Sequence, residues 1–379
     1  MREKHPGKSG PETQGVHSDP MKNVLIDTYK GKTVLITGHT GFKGSWLSTW
    51  LKELGANVVG YALDPYTDSD NFVRSGLSKK MTDIRGDVRD FKQLKQVFDK
   101  YCPEIVFHLA AQPLVRESYR NPKETYDINV GGTVNVFESC RQDASVKVIV
   151  NVTSDKCYEN KEWVWGYREN DSLGGYDPYS SSKACSELIT ASYRDSFFNP
   201  DRFQEHGKSL SSVRAGNVIG GGDWTTDRVI PDCIRSLLRD RKILVRNPEA
   251  VRPWQFVLEP LSGYLLLAAR MSVEPIKYAG AWNFGPYLPA NIPVKELVDH
   301  IVTYWGSGGW YTAAEVNPLH EAALLNLDIS KTYHILGWRP VYTVEKAVAE
   351  TVRWYKANRD GKDMYEVCKE QIKEFASNL

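Results

Sequence analysis

Tyr179 and Lys183 stand four residues apart in the run Tyr179-Ser180-Ser181-Ser182-Lys183. On a helix, that spacing puts both side chains on one face. A lysine ammonium beside a phenol favours the phenolate, so Tyr179 is expected to act as a base near neutral pH. A second reactive stretch is Thr153-Ser154-Asp155-Lys156, where a hydroxyl, a carboxyl and an amine follow one another. Together the two stretches carry the parts of a site that couples redox chemistry to an elimination.

The elements that must position these residues are legible around them. Residues 146–152 form an apolar run that reads as a buried parallel strand, so Ser154, Asp155 and Lys156 fall at a strand's carboxyl end. Open α/β sheets bind ligands there. Near the start of the chain, residues 32–37 read as a strand, followed at once by Gly38-His39-Thr40-Gly41-Phe42-Lys43-Gly44 and an amphipathic helix over 45–54. A glycine-rich turn between strand and helix lets backbone N–H groups approach a pyrophosphate. Gly38, Thr40, Gly41, Phe42 and Gly44 are therefore candidate dinucleotide contacts, with GxxGxxG spacing. The next strand, 57–61, leads to Asp64, placed where a carboxylate binds a ribose 2′-hydroxyl and disfavours a 2′-phosphate. No arginine directly follows that strand, and Arg74 lies well downstream, so NAD is expected over NADP.

Further strands are expected at 84–88 and 104–109. Asp87 is a candidate for an adenine edge, with turn capping as the alternative, and Val88 adjoins it. The small residues Ala110 and Ala111, followed by Gln112, let the backbone approach a flat ligand. His108 lies inside the strand pattern and is assigned no catalytic part. A long helix is expected from Asn121-Pro122 to about Arg141, with Asn129 as a packing feature. Residues 159–176, rich in tryptophan, glycine and charge, read as a loop over the site. A helix over about 179–197 and a strand over 209–214 complete the alternation. Strands alternating with helices mean an α/β fold with a doubly wound parallel sheet.

Beyond Arg214 the pattern changes. The NAD-binding domain is expected over 21–214 plus 252–285, and a second, smaller α/β lobe for the substrate over 215–251 plus 286–379. Residues 1–20 are polar and without periodicity, and read as a disordered tail, with order beginning near Tyr29. The formal net charge of +1 gives no reason to expect nucleic acid or an acidic membrane surface as partner. Six cysteines with no CxxC and no metal-ligand spacing read as free thiols in a reducing cytoplasm, with no metal site.

With these residues in view, the chain resembles the extended short-chain dehydrogenase/reductase family, in its sugar-nucleotide 4,6-dehydratase branch. The carrying residues are GHTGFKG (38–44), HLAAQ (108–112), TSDK (153–156), YSSSK (179–183), RAGNVIGGGDW (214–224), RPWQ (252–255) and WNFGP (282–286). Family members acting on dTDP-glucose and GDP-mannose carry Asp-Glu after the serine. Asp155-Lys156 resembles the pattern of the members acting on CDP-glucose. The resemblance implies a CDP-sugar substrate and NAD as a bound prosthetic group. It also implies roles. Tyr179 takes the C4 hydroxyl proton while the C4 hydride goes to NAD, Lys183 supports the phenolate and the nicotinamide ribose, and Ser154 orients the C4 oxygen. Lys156 removes the C5 proton and Asp155 protonates the leaving C6 hydroxyl. Asn217 and Arg252 resemble the residues that hold the diphosphate, with Arg214 and Arg228 as further candidates. Relatives dimerise through a four-helix bundle, which implies a homodimer built on the helices near 122–141 and 179–197, with higher oligomers left open. Phe256 departs from the pattern, standing where a histidine is more usual. The readings that compete are a 4,6-dehydratase for another nucleotide sugar, and a nucleotide-sugar 4-epimerase or reductase.

Overall fold

The computed structural model describes residues 20–313 and 324–379. The expected tail lies outside the described residues except for Pro20, which starts a helix.

Seven strands form the central sheet: β1 (Thr33–Thr37), β2 (Asn57–Ala62), β3 (Thr82–Arg85), β4 (Ile105–His108), β5 (Val148–Val152), β6 (Ser209–Arg214) and β7 (Gly280–Asn283). Their order is β7-β6-β5-β4-β1-β2-β3, and every neighbouring pair is parallel. The order reverses between β1 and β4, where Thr37 lies beside His108. Ligands bind at that kind of switch point, at the strands' carboxyl ends. β5 and β6 are buried along their whole length, as a sheet covered on both faces requires.

Helices cover both faces. On one side lie α1 (Pro20–Tyr29) and α2 (Phe42–Glu53), where Trp46, Leu47 and Leu51 join the larger hydrophobic core. On the other lie α3 (Phe91–Tyr101) and α4 (Gly132–Gln142), with Leu94, Phe98, Val136 and Phe137 in a second core. α1 is an addition to the sequence reading, in which order starts near Tyr29. It docks through buried Leu25 and Tyr29, whose hydroxyl donates to Leu265 O at 2.8 Å.

The single helix expected from 122 to about 141 is divided. A short helix, Pro122–Tyr126, runs into a π turn at Asp127–Gly131 before α4 begins. The extra residue in the turn accompanies the burial of Asn129, which accepts from Gln112 N at 2.8 Å and donates to Ser182 Oγ at 2.8 Å. At Gly132 a Cβ would stand 2.7 Å from Val88 Cγ2, so the helix passes the end of β3 closely.

α5 (Pro178–Ser196) starts where its sequence demands: Pro178 sits in the first turn and the Asp177 carboxylate accepts from Ser180 N at 2.9 Å. α6 (Val229–Leu237) carries Pro231 in its first turn, where a missing N–H costs no helical bond. α7 (Leu258–Val273) returns to the main core, and α8 (Val294–Trp305) and α9 (Val344–Arg359) follow. A last helix, α10 (Met364–Ala376), has no counterpart in the sequence reading. Residues 364–376, placed there with the substrate lobe, pack on α2: Tyr365 donates to Glu53 Oε1 at 2.8 Å and Phe375 meets Trp50 edge-on at 5.9 Å. Short strand pairs, Ile243–Leu244 with Trp310–Tyr311 and Val251–Pro253 with Asn291–Pro293, tie the segment after β6 to the α8 region.

Candidate active site

A cleft of about 1460 Å³ opens at the carboxyl ends of the strands. It is lined by the glycine-rich turn, the ends of β2 to β5, the turn after β5, α5 and residues 215–252.

The glycine turn fits a dinucleotide. Gly38 has φ +76, and a Cβ there would stand 2.7 Å from Ala110 N. A Cβ on Gly44 would stand 2.1 Å from Gly38 O. Both glycines are therefore required by close packing. Gly41 is exposed and a Cβ would meet only Gly38 O at 3.4 Å, so the outer face of the turn stays open. α2 begins at Phe42, and Phe42, Lys43 and Gly44 line the cleft, as the unpaired N–H groups of a helix start must for a pyrophosphate. Thr40 ties the turn to the end of β2 through Leu63 O at 3.0 Å. Ala110, Ala111 and Gln112 form the wall after β4. Val88 and Asp87 line the cleft as well, and the Asp87 carboxylate accepts from Arg89 N at 2.9 Å, so the capping role is realised, while Oδ2 pairs with the Arg89 guanidinium at 2.6 Å. Asp64 also lines the cleft, with its side chain 88% exposed.

The reactive groups converge at the centre. After β5 the chain makes a single 3-10 turn, Asp155–Cys157, capped by Ser154 Oγ accepting from Lys156 N at 3.2 Å. Ser154 Oγ also donates to Asp155 Oδ1 at 3.0 Å, and Ser154 and Tyr179 line the same cleft. Asp155 is buried, and Asn217 Nδ2 approaches its other oxygen at 3.5 Å. Lys156 is half-buried and lines the cleft. Asn217 and Arg252 line the cleft too. All of Ser154, Asp155, Lys156, Tyr179, Lys183, Asn217 and Arg252 thus face one cavity.

Three expectations are corrected. Lys183 Nζ donates to Val152 O at 3.3 Å, and burial pushes the Tyr179 phenol up to about 12, with the Ser154 hydroxyl opposing. Burial also lowers the Lys183 ammonium to about 8. The lysine alone therefore does not make a phenolate: both groups lack the solvation their charged forms need. Next, none of residues 159–176 lines the cleft. That loop turns the other way, with Tyr167 N bonded to Asn326 O at 2.8 Å and Asn283 Nδ2 donating to Tyr167 O at 2.8 Å. Finally, Arg214 is an internal strut. It pairs with buried Glu187 at 2.8 Å and donates to Tyr158 Oη at 2.6 Å, away from the cleft. Phe256, likewise, packs between Trp46 and Tyr342 in the core and leaves the cavity's shape alone.

Two lining residues, Lys43 and Gly216, carry no role in the sequence reading, and a third, Arg228, is only a further candidate there. Lys43, inside the glycine turn, has its ammonium lowered to about 8 by burial, with Asp155 pulling it back up. Arg228, a minor candidate, lines the wall paired to Asp223 at 2.8 Å. Gly216 supports the acid: a Cβ there would stand 1.8 Å from Asp155 Oδ2. Its only sequence signal is its place in RAGN, next to Asn217.

Comparison with known proteins agrees with this architecture. Residues 34–279 match the model of the "NAD dependent epimerase/dehydratase family". The CDP-glucose 4,6-dehydratase of Salmonella typhimurium is 51% identical over 350 residues, covering 92% of this chain and 97% of that protein. The dTDP-glucose 4,6-dehydratase of the same organism is 23% identical, covering 86% and 93%. Among solved structures, dTDP-glucose 4,6-dehydratase from Bacillus anthracis in complex with NAD superposes with a TM-score of 0.71 at 22% identity, covering 88% of this chain and all of that one. An epimerase from Methanothermobacter thermautotrophicus gives 0.76 at 22% identity, covering 90% and 96%.

Proposed function

The chain belongs to the NAD dependent epimerase/dehydratase family, and on that premise we propose that it converts CDP-glucose to CDP-4-keto-6-deoxyglucose and water. The observation that carries the reading is the Ser154-Asp155-Lys156 turn, which sets an acid and an amine beside Tyr179 in one cleft. An oxidation at C4 alone needs, beside a hydride acceptor, only the tyrosine as base. Loss of water across C5 and C6 needs a base and an acid as well, and the turn supplies both.

Tyr179 takes the proton of the C4 hydroxyl, whose oxygen Ser154 orients. The resulting 4-ketone acidifies the C5 proton. Lys156 removes it, and Asp155, protonated, gives its proton to the departing C6 hydroxyl. Asn217 and Arg252 hold the diphosphate, Arg252 through a planar guanidinium suited to two oxygens at once. The glycine turn, Asp64, Asp87, Val88, Ala110–Gln112 and Lys183 would hold NAD. When bound, it supplies a hydride acceptor at C4, the same hydride at C6, and positive charge beside a phenol that burial otherwise keeps protonated.

The protein works as a homodimer in which the 122–142 segment and α5 meet their copies in a four-helix bundle. Leu188, an exposed apolar residue on α5, supports that reading. It acts in the cytoplasm, a reducing compartment suited to its six free cysteines.

The test is a substrate panel. Purified protein incubated with CDP-, dTDP-, UDP- and GDP-glucose is expected to release water and form a 4-keto-6-deoxy sugar from the CDP-sugar. Turnover of another nucleotide sugar in preference would reassign the base. C4 inversion without loss of water would make it an epimerase.

A further inference from the structure

β2 and β3 lie side by side with Ala62 opposite Arg85, which brings Arg85 to the acid at the end of β2. Arg85 Nε stands 3.6 Å from Asp64 Oδ1. The guanidinium is fixed from three other directions. Its Nη2 donates to Asp83 Oδ2 at 2.9 Å, its Nη1 to Leu63 O at 3.2 Å, and its plane lies 5.0 Å from the centre of the Phe72 ring. Asp83 is anchored in turn by His39 of the glycine turn at 2.8 Å. The His39 ring packs on Gly60, where a Cβ would meet it at 2.3 Å. A rigid chain of contacts therefore runs from the glycine turn to Arg85.

Asp64 differs in kind. Its side chain is 88% exposed, and at 3.6 Å its approach to Arg85 is an ion pair without a hydrogen bond. It can rotate into solvent at little cost, since exposed ion pairs contribute little. Arg85 cannot follow it. Asp64, a movable carboxylate that suits a 2′-hydroxyl, lines the cleft, and a fixed guanidinium that suits a 2′-phosphate stands 3.6 Å from it at the cleft's edge.

We infer that Arg85 is a second determinant of cofactor choice, one that accepts the 2′-phosphate of NADP once Asp64 turns aside. Preference for NAD is then graded, set by the balance of Asp64 and Arg85. This rests on the reading that Asp64 meets the adenosine ribose of NAD.

The test is binding. Stripped protein is titrated with NADH and NADPH, following nicotinamide fluorescence, for the native chain, Arg85→Gln and Asp64→Asn. Circular dichroism checks that each variant is folded. Arg85→Gln is expected to weaken NADPH roughly three- to tenfold more than NADH, and the gap is expected to shrink at high salt. Asp64→Asn is expected to shift preference towards NADPH. If Arg85→Gln changes both affinities equally, or neither, while Asp64→Asn does shift preference, the inference is overturned and the ribose reading stands. If Asp64→Asn leaves both affinities unchanged, the ribose reading itself fails. Arg85→Lys, which keeps the charge, is expected to retain part of the NADPH affinity. An unfolded Arg85→Gln leaves that variant to decide: NADPH lost no more than NADH would overturn the inference.

Discussion

Gly216→Ala isolates the acid of the elimination without replacing a reactive group. The new Cβ would stand 1.8 Å from Asp155 Oδ2, against ordinary contact at 3.4 Å and beyond. The carboxylate must therefore retreat by about 1.6 Å, the difference of those two distances. It cannot do so alone, because Oδ1 is tied to Ser154 and Oδ2 to Asn217. Displacing a reacting group by about 1 Å costs on the order of 10²-fold in rate. Overpacking of this kind destabilises a fold by about 1–3 kcal/mol, which a domain of this size tolerates. Single-turnover absorbance with CDP-glucose separates the steps. Reduced-nicotinamide absorbance is expected to rise nearly as in the native chain and then persist, because oxidation at C4 proceeds while loss of the C6 hydroxyl stalls. Dehydration at the native rate would show that the position of Asp155 does not matter. Loss of the first absorbance rise would show that Gly216 serves Tyr179 rather than the acid.

Lys156→Ala is expected to leave C4 oxidation largely intact and to reduce exchange of the C5 hydrogen with deuterated water by roughly 10² or more. Weaker substrate binding with normal exchange at saturation would instead make Lys156 a cation for the diphosphate. His108 supplies a pH test. It is buried between Thr37 and Thr133, near Lys183, and burial lowers it from 6.5 to about 3. A depressed folded value means stability present above 6.5 and lost as the pH falls towards 3. The effect is on the order of a few kcal/mol. Urea unfolding at pH 7 and pH 4.5 is expected to show a smaller acid loss in His108→Gln, and parallel losses would refute the assignment. Light scattering is expected to give the mass of a dimer, and a stable monomer at micromolar concentration would remove the four-helix-bundle reading.

Local patterns made much of the fold legible. Asp177-Pro178 fixes the start of α5 because the cap and the proline act within one turn. The glycine turn announces itself because its glycines are demanded by contacts inside the strand–turn–helix unit and to the wall at Ala110. What stayed hidden depends on distant partners. The course of the 159–176 loop is set by Asn283 and Asn326, more than a hundred residues away, so its composition marked a loop but not its direction. The π turn follows from the polar demand of Asn129, which only the fold brings to Gln112 and Ser182. Arg85 meets Asp64 only through the register of β2 on β3, which a linear search for an arginine after the strand does not reach. α10 has a buried face that includes Val367, Cys368, Ile372 and Phe375, but what it covers, α2, lies three hundred residues earlier.

The central turn shows why three consecutive residues can do three jobs. A 3-10 turn has about three residues per turn, so successive side chains diverge by about 120°. Ser154 Oγ meets Asp155 Oδ1 and Lys156 N, Asp155 is sunk against Gly216 and Asn217, and Lys156 is left half-buried on the cleft wall. In an extended strand Ser154 and Lys156 would share a face and Asp155 would oppose them. The acid would then leave the cavity. Separation of acid from base thus depends on the chain tightening as soon as β5 ends. That tightening is closed by backbone bonds from Cys157 N to Ser154 O and from Tyr158 N to Asp155 O, and Ser154 Oγ adds to them by capping Lys156 N and bonding Asp155. In the proposed mechanism, Ser154 therefore shapes the elimination machinery as well as orienting the C4 oxygen, and the motif is a folded unit rather than a string of reactive groups.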